Sequence, residues 1–234
     1  MRSAKEHVLL LDAGDSIYGA VTPASTTKGA STIEVMNLLA YDALTLGAGD
    51  LLIGQEIENR IAEAQFSILS ANTYISGTDT LLVAPYALRE IAGHTVAIVA
   101  VTEAFTRGGY QGTDPIAAAA AAVREASIQA DVVILLSHAG KAADLAIAQQ
   151  VPGIDVLIGG GLQLTSSPTK DATYGTILVQ AEAPQPNYAG LFLGQGTFQF
   201  DAQGQVTQFT WMRHPITEDI PADPEIAQWV SAHP

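Results

Sequence analysis

The sequence predicts a layered α/β domain, and three observations predict it. Short apolar runs rich in Val, Ile and Leu alternate with stretches of helical periodicity. Beyond residue 175 the helices give way to successive strands and one closing helix. With 234 residues, 48 % of them hydrophobic, the chain can bury a substantial core.

Residues 8–11 (VLLL) read as a buried strand ending at the turn Asp12-Ala13-Gly14-Asp15. Residues 32–39 fit a helix, since Ile33, Met36, Leu39 and Ala40 fall on one face. A short strand over 43–46 follows, then an amphipathic helix over 57–64 and a strand over 66–71. Residues 76–79 are turn-rich, and 86–91 with 95–101 form a β-hairpin across 92–94. The Ala-rich stretch 116–130 is a helix, followed by strand 132–136, helix 142–151 and strand 156–158. Strands over 175–180, 190–200 and 206–214 come last, the final two joined by the turn Asp201-Ala202-Gln203-Gly204. Residues 224–232 close the chain as a helix, with Asp223 placed to cap it. No internal repeat, low-complexity tract or linker divides residues 1–234, so one domain is expected.

A formal charge of −14 with only 10 Lys and Arg argues against nucleic-acid binding, which relies on those residues to meet phosphates. The same acidity repels phosphorylated substrates unless metal ions reverse the local field. The absence of cysteine excludes thiolate metal sites and thiol nucleophiles. Residues 1–7 hold no apolar stretch of a signal peptide, and runs such as 116–123 are too short to span a bilayer. The expectation is a soluble chain, cytoplasmic as written, with neither nucleic-acid nor membrane partners.

Two residues stand out at strand ends, where α/β sheets gather their functional side chains. Asp15 closes the first strand between Gly14 and Gly19, and His138 closes an apolar strand two residues before Gly140. The remaining histidines, His7, His94, His214 and His233, read as surface or structural groups. The run Gly159–Gly161 suggests a phosphate cradle but lacks the Lys and Ser/Thr of a P-loop.

Four segments carry a family resemblance: LLLDAGDSIYG (9–19), YDALTLGAGDLLIG (41–54), ILLSHAG (134–140) and DVLIGGGLQL (155–164). Their order and spacing resemble the 5′-nucleotidase branch of the calcineurin-like metallophosphatases. Ser70-Ala71-Asn72, VAIVAVT over 96–102, Asn187-Tyr188-Ala189-Gly190 and Ile220-Pro221-Ala222-Asp223 extend the likeness over nearly the whole chain. The resemblance implies a four-layer αββα sandwich, two mixed sheets flanked by helices, and a pair of divalent metals at the site.

By that resemblance Asp15 matches an Asp that bridges the metals, and His138 matches a metal ligand. Ala48 and Gly49 stand where the family has a metal-binding Asn and a His that assists the transition state, and Asp50 stands at a Glu. Gly161 and Gln163 replace two further imidazoles. The family's opening strand, with its Asp-x-His ligands, would lie upstream of Leu9, and its separate nucleotide-binding domain is not in this chain. Two-metal hydrolysis needs several donors per ion. Asp15 and His138, with Asp50 or Gln163 as additions, would hold at most one weakly bound ion. The resulting expectation is a binding or scaffolding module without phosphoesterase activity. Its ligand would be a small anion in the old cleft, and it would self-associate through an exposed sheet edge. The alternative is an active phosphoester hydrolase with a remodelled site built on Asp15 and His138.

Overall fold

The computed structural model describes residues 7–160, 168–181 and 190–233. The central element is a six-stranded mixed sheet. Its order is β11 (Thr169–Lys170), β12 (Ile177–Val179), β10 (Val156–Gly159), β9 (Val132–His138), β6 (His94–Thr102) and β5 (Tyr86–Ile91). The four inner strands run parallel, and the two edge strands run against them.

The strict alternation of strand side chains builds a layer on each face of this sheet. On β6, Ala97, Val99 and Val101 pack beneath α3 (Pro115–Ala126) and α4 (Lys141–Gln150), meeting Ala119, Ala122, Val123 and Ile147. Val96, Ile98 and Ala100 face the other way, toward Ala43 and Leu69. Those two belong to a parallel three-stranded sheet of β1 (Leu11–Asp12), β2 (Ala43–Thr45) and β3 (Ser67–Leu69). Its far face carries Leu44, Leu46 and Ile68, covered by Ile33 and Met36 of α1 (Ala30–Leu38) and Ile57 of α2 (Glu56–Glu63). Helices, sheet, sheet and helices therefore form the four layers.

The second sheet layer is divided. The hairpin of β13 (Phe192–Phe200) and β14 (Val206–Pro215) lies on the same face of the central sheet, with Phe198, Phe209 and Trp211 over Val156, Ile177 and Val179. It forms a ladder of its own, and among the described residues no strand pairs with the outer edge of β1. The closing helix α5 (Pro224–Ala232) begins at Asp223, whose Oδ1 accepts from the Glu225 and Ile226 amides at 2.9 and 3.3 Å.

Several features differ from the sequence expectation: the strand expected over 8–11 begins only at Leu11, and β11 and a 3₁₀ turn over Asp50–Ile53 were not expected. The helix expected over 116–130 stops at Ala126, where Ser127 turns its hydroxyl onto the Val123 carbonyl at 2.6 Å. A small antiparallel sheet of β4 (Thr73–Ile75), β8 (Tyr110–Gly112) and β7 (Phe105–Arg107) was not expected. Asn72, fully buried, pins it to the end of β6 by donating to the Thr102 and Thr113 carbonyls, both at 2.8 Å, and accepting from the Thr102 amide. Among the described residues no helix is long and apolar enough to cross a membrane.

Candidate active site

The carboxyl ends of β1, β2, β9 and β10 converge, because both sheets run parallel there and face each other. Each end is followed by a short loop, and the polar side chains of those loops meet. Asp12 organises the first. Its Oδ1 accepts from the Gly14 amide at 2.9 Å and the Ser16 hydroxyl at 2.7 Å, an Asx-type turn. Burial raises the Asp12 pKa, against the pull of Ser16 and Gly14. The turn puts Asp15 in the left-handed region, at φ 58°.

Asp15 and His138 lie side by side, with His138 Nε2 3.2 Å from Asp15 Oδ2. The other ring nitrogen, Nδ1, is 2.7 Å from the Ala13 carbonyl oxygen. A carbonyl can only accept, so Nδ1 carries a proton, and an ionised carboxylate asks the same of Nε2. Both nitrogens of His138 are thereby committed as donors in an imidazolium. Burial works against that charge, yet the Asp15 hydrogen bond and carboxylate outweigh it and raise the His138 pKa to about 9. Burial likewise opposes ionisation of Asp15, but His138 and the Gly49 amide hold its pKa below the ordinary 3.8. The Gly49 amide donates to Asp15 Oδ1 at 2.7 Å, so both Asp15 oxygens are engaged.

Asp50 occupies a different position from Asp15. It is fully buried, and its carboxyl group accepts three backbone amides: Asp15 at 3.1 Å, Ile17 at 2.8 Å and Gly47 at 3.0 Å. It ties the loop after β1 to the loop after β2 and spends both oxygens doing so. Burial pushes its pKa up to about 7, against the Gly47 amide, with the Asp15 charge adding to the rise. On the outer side of the same loop, Arg107 donates to the Ala48 carbonyl at 3.2 Å. The peptide between Ala48 and Gly49 is thus held by Arg107 through its oxygen and by Asp15 through its nitrogen.

One residue before His138, the Ser137 hydroxyl and Asp144 Oδ1 are 2.5 Å apart, tying β9 to α4. Burial lifts Asp144 to about 6, against the Ser137 bond. Gly159 leaves room for this carboxylate, since a Cβ there would lie 2.8 Å from Asp144 Oδ2. Gly160 packs so closely on the Ala13 carbonyl that a side chain would collide with it.

The structure therefore brings Asp15, His138, Ala48, Gly49 and Asp50 together. Gly161 and Gln163 lie outside the described residues, as do Asn187, Tyr188 and Ala189. Among the described residues no group of three or more His, Asp or Glu is arranged to hold a metal ion. Asp15 and His138 are turned to each other, Asp50 is turned to backbone amides, and Ala48 and Gly49 offer no side-chain donor. These residues do not fit a two-metal centre. Arg107 and Asp144 were not singled out from the sequence. Arg107 sits on one of the three-residue strands that periodicity misses. The signal for Asp144 is a carboxylate in the first turn of a helix that starts directly after a site histidine.

No family model matches the chain. Human 5′-nucleotidase is 32 % identical over 251 residues, which covers 97 % of this chain and 44 % of the relative. Rat 5′-nucleotidase is 31 % identical, covering 98 % of this chain and 45 % of its own length. The chain thus spans less than half the length of these relatives. Among solved structures, a 5′-nucleotidase precursor from Thermus thermophilus aligns with a TM-score of 0.84 at 25 % identity, over 99 % of this chain and 50 % of that one. The calcineurin-like phosphoesterase YfkN from Bacillus subtilis aligns with a TM-score of 0.75 at 22 % identity, over 99 % and 85 %.

Proposed function

Since the chain is a calcineurin-like metallophosphatase domain of the 5′-nucleotidase type, we propose that it is a binding or scaffolding module without phosphoester hydrolysis of its own. The observation that carries this reading is the direct pairing of Asp15 with His138, beside a loop whose donor positions hold Ala48 and Gly49. Hydrolysis by this fold requires two ions that clamp the attacking and leaving oxygens. An imidazolium must lose a proton before it can ligate a metal, and a carboxylate satisfied at both oxygens must release a partner before it can bridge.

The cleft between the loops is the candidate ligand site, and a small anion is its proposed occupant. Self-association through the outer edge of β1 is the proposed mode of assembly. An edge of unpaired amides and carbonyls is a template for another strand. Light scattering across a concentration series tests it, and a monomer at every concentration removes it.

The second reading is a hydrolase with a remodelled site. What favours it is the retention of Asp15 and His138 at adjacent strand ends. Turnover of AMP and of p-nitrophenyl phosphate, measured with added Mn²⁺ or Zn²⁺, separates the two. The leading reading expects the wild-type rate to equal that of the Asp15→Ala, His138→Ala double variant. Metal-dependent turnover that disappears in the double variant establishes the hydrolase instead.

A further inference from the structure

The closing hairpin overhangs the carboxyl end of the central sheet. β14 starts at Val206, paired with Phe200, whose ring lies 5.9 Å from that of His94 at the start of β6. Toward its other end Trp211 lies across Gly194, where a Cβ would also come 3.1 Å from the Cβ of Ala181, past the end of β12. Arg213 follows Trp211 and so stands beyond β12, at the end where parallel sheets present their functional groups. It pairs with Gly194 as Trp211 pairs with Gly196 and Phe209 with Phe198. Arg213 therefore shares the inner face of the hairpin with Phe198, Phe209 and Trp211.

The guanidinium group there is held but unanswered. Its Cζ lies 4.5 Å from the centroid of the Phe192 ring, a cation–π stack that fixes the plane of the fork. Its Nε is buried and meets no acceptor. Among the described residues no carboxylate pairs with it, although the chain has 24 acidic residues against 10 basic ones. Arg60 and Arg107 differ, since the first donates to the Thr27 carbonyl and Glu63 and the second to the Ala48 carbonyl. Taking a charged group out of water without an acceptor is costly, and the ring offsets only part of that cost. Arg213 is half-buried, so Nη1 and Nη2 form the edge left to solvent.

We propose that Arg213, stacked on Phe192 at the hairpin rim of the sheet end, binds a small oxyanion through its Nη1–Nη2 fork. Two parallel donors in a fixed plane match two oxygens of a phosphate or a carboxylate, and the stack has already ordered the side chain. The loops after β1 and β2 carry Asp12, Asp15 and Asp50, a set of carboxyl groups that disfavours an anion among them. β12 lies two strands from β9, about 10 Å across the sheet, so the hairpin holds its ligand beside those loops. The inference deepens the small-anion reading and rests on it, placing the anion's contact on the hairpin.

The test titrates the full chain with inorganic phosphate at constant ionic strength, following the Arg213 Nε–H resonance by ¹H–¹⁵N correlation and total binding by calorimetry. A saturable shift with its midpoint at about 1–10 mM is expected, and chloride at the same ionic strength should give none. Acetate is titrated separately, and the tighter of the two anions tells a phosphate ligand from a carboxylate one. Arg213→Lys keeps the charge and loses the fork, so it should weaken binding about tenfold. Phe192→Leu keeps an apolar side chain and loses the ring face, and should weaken it about threefold. A shift that grows linearly with any salt overturns the inference. Calorimetric binding that leaves the Arg213 resonance unmoved, or that survives Arg213→Lys unchanged, also overturns it while the small-anion reading stands. Binding of neither anion removes both. If Arg213→Lys fails to fold, the wild-type resonance decides by itself.

Discussion

The loops around Asp15 and the closing hairpin with α5 are built on opposite principles. In the loop cluster each polar group answers another. Asp12 caps its own turn, Asp50 gathers three amides, Arg107 holds a carbonyl, and Ser137 meets Asp144. The hairpin relies on its ladder and one aromatic face, with Phe198 and Phe209 rings 4.6 Å apart and Trp211 lying across Gly194. Helix α5 has no buried residue, and Ile216, Ile220 and Val230 stay exposed on this tail. The contrast teaches that a loop cluster can be held rigidly by its own polar contacts while a hairpin beside it rests on apolar packing. Directional bonds to backbone fix the loops whether or not anything is bound.

The comparison breaks most sharply at Asp50. Asp50→Ala leaves three amides without their acceptor, those of Ile17 and Gly47 buried, and is expected to cost about 3–5 kcal/mol. Urea unfolding measures this, and a loss near zero would mean the loops are held by something else.

The second effect is a pH dependence from the Asp15–His138 pair. The His138 value is raised to about 9 from an ordinary 6.5. Its stabilisation is therefore complete below 6.5 and is lost as the pH rises through 9. Asp15 has a lowered value, so its share is present above 3.8 and is lost only on acidification below that. Stability should fall by on the order of 2 kcal/mol between pH 7 and 9, and His138→Ala should flatten that limb. Asp144, raised to about 6, has the opposite sign from Asp15: its contribution is present below 3.8 and lost as the pH rises through 6. Asp144→Asn should remove that acid-side slope.

In the hairpin the expected effects are smaller. Trp211→Ala removes a half-buried ring from the cluster over Val156 and Val179, and should cost about 1–2 kcal/mol. At α5, Asp223→Ala deletes a helix cap worth about 1 kcal/mol to the helix itself. Because α5 has no fully buried residue, with Ile226 and Trp229 only half-buried, the global unfolding midpoint should move little. A large shift in that midpoint would show that the tail is coupled to the core after all.

The sequence made the core legible because periodicity and burial coincide there. On β6 alternate apolar residues serve two different layers, and Asp-Pro before the last helix marked its start correctly. The small sheet β4–β8–β7 was not legible, since strands of three residues are too short to show a period. At the site, the spacing of strand ends brought Asp15 and His138 together, but that the two would face each other at 3.2 Å was not legible. The inward turn of Asp50 was equally hidden: a carboxylate in a glycine-rich loop can face a ligand or its own backbone, and only packing decides.

The most direct test of the central claim is metal content by elemental mass spectrometry, after incubation with Mn²⁺ and Zn²⁺ and thorough desalting. With Asp15 and His138 closed on each other, well under one ion per chain should remain. Two ions per chain would contradict the account and show that the pair opens to build a full two-metal centre.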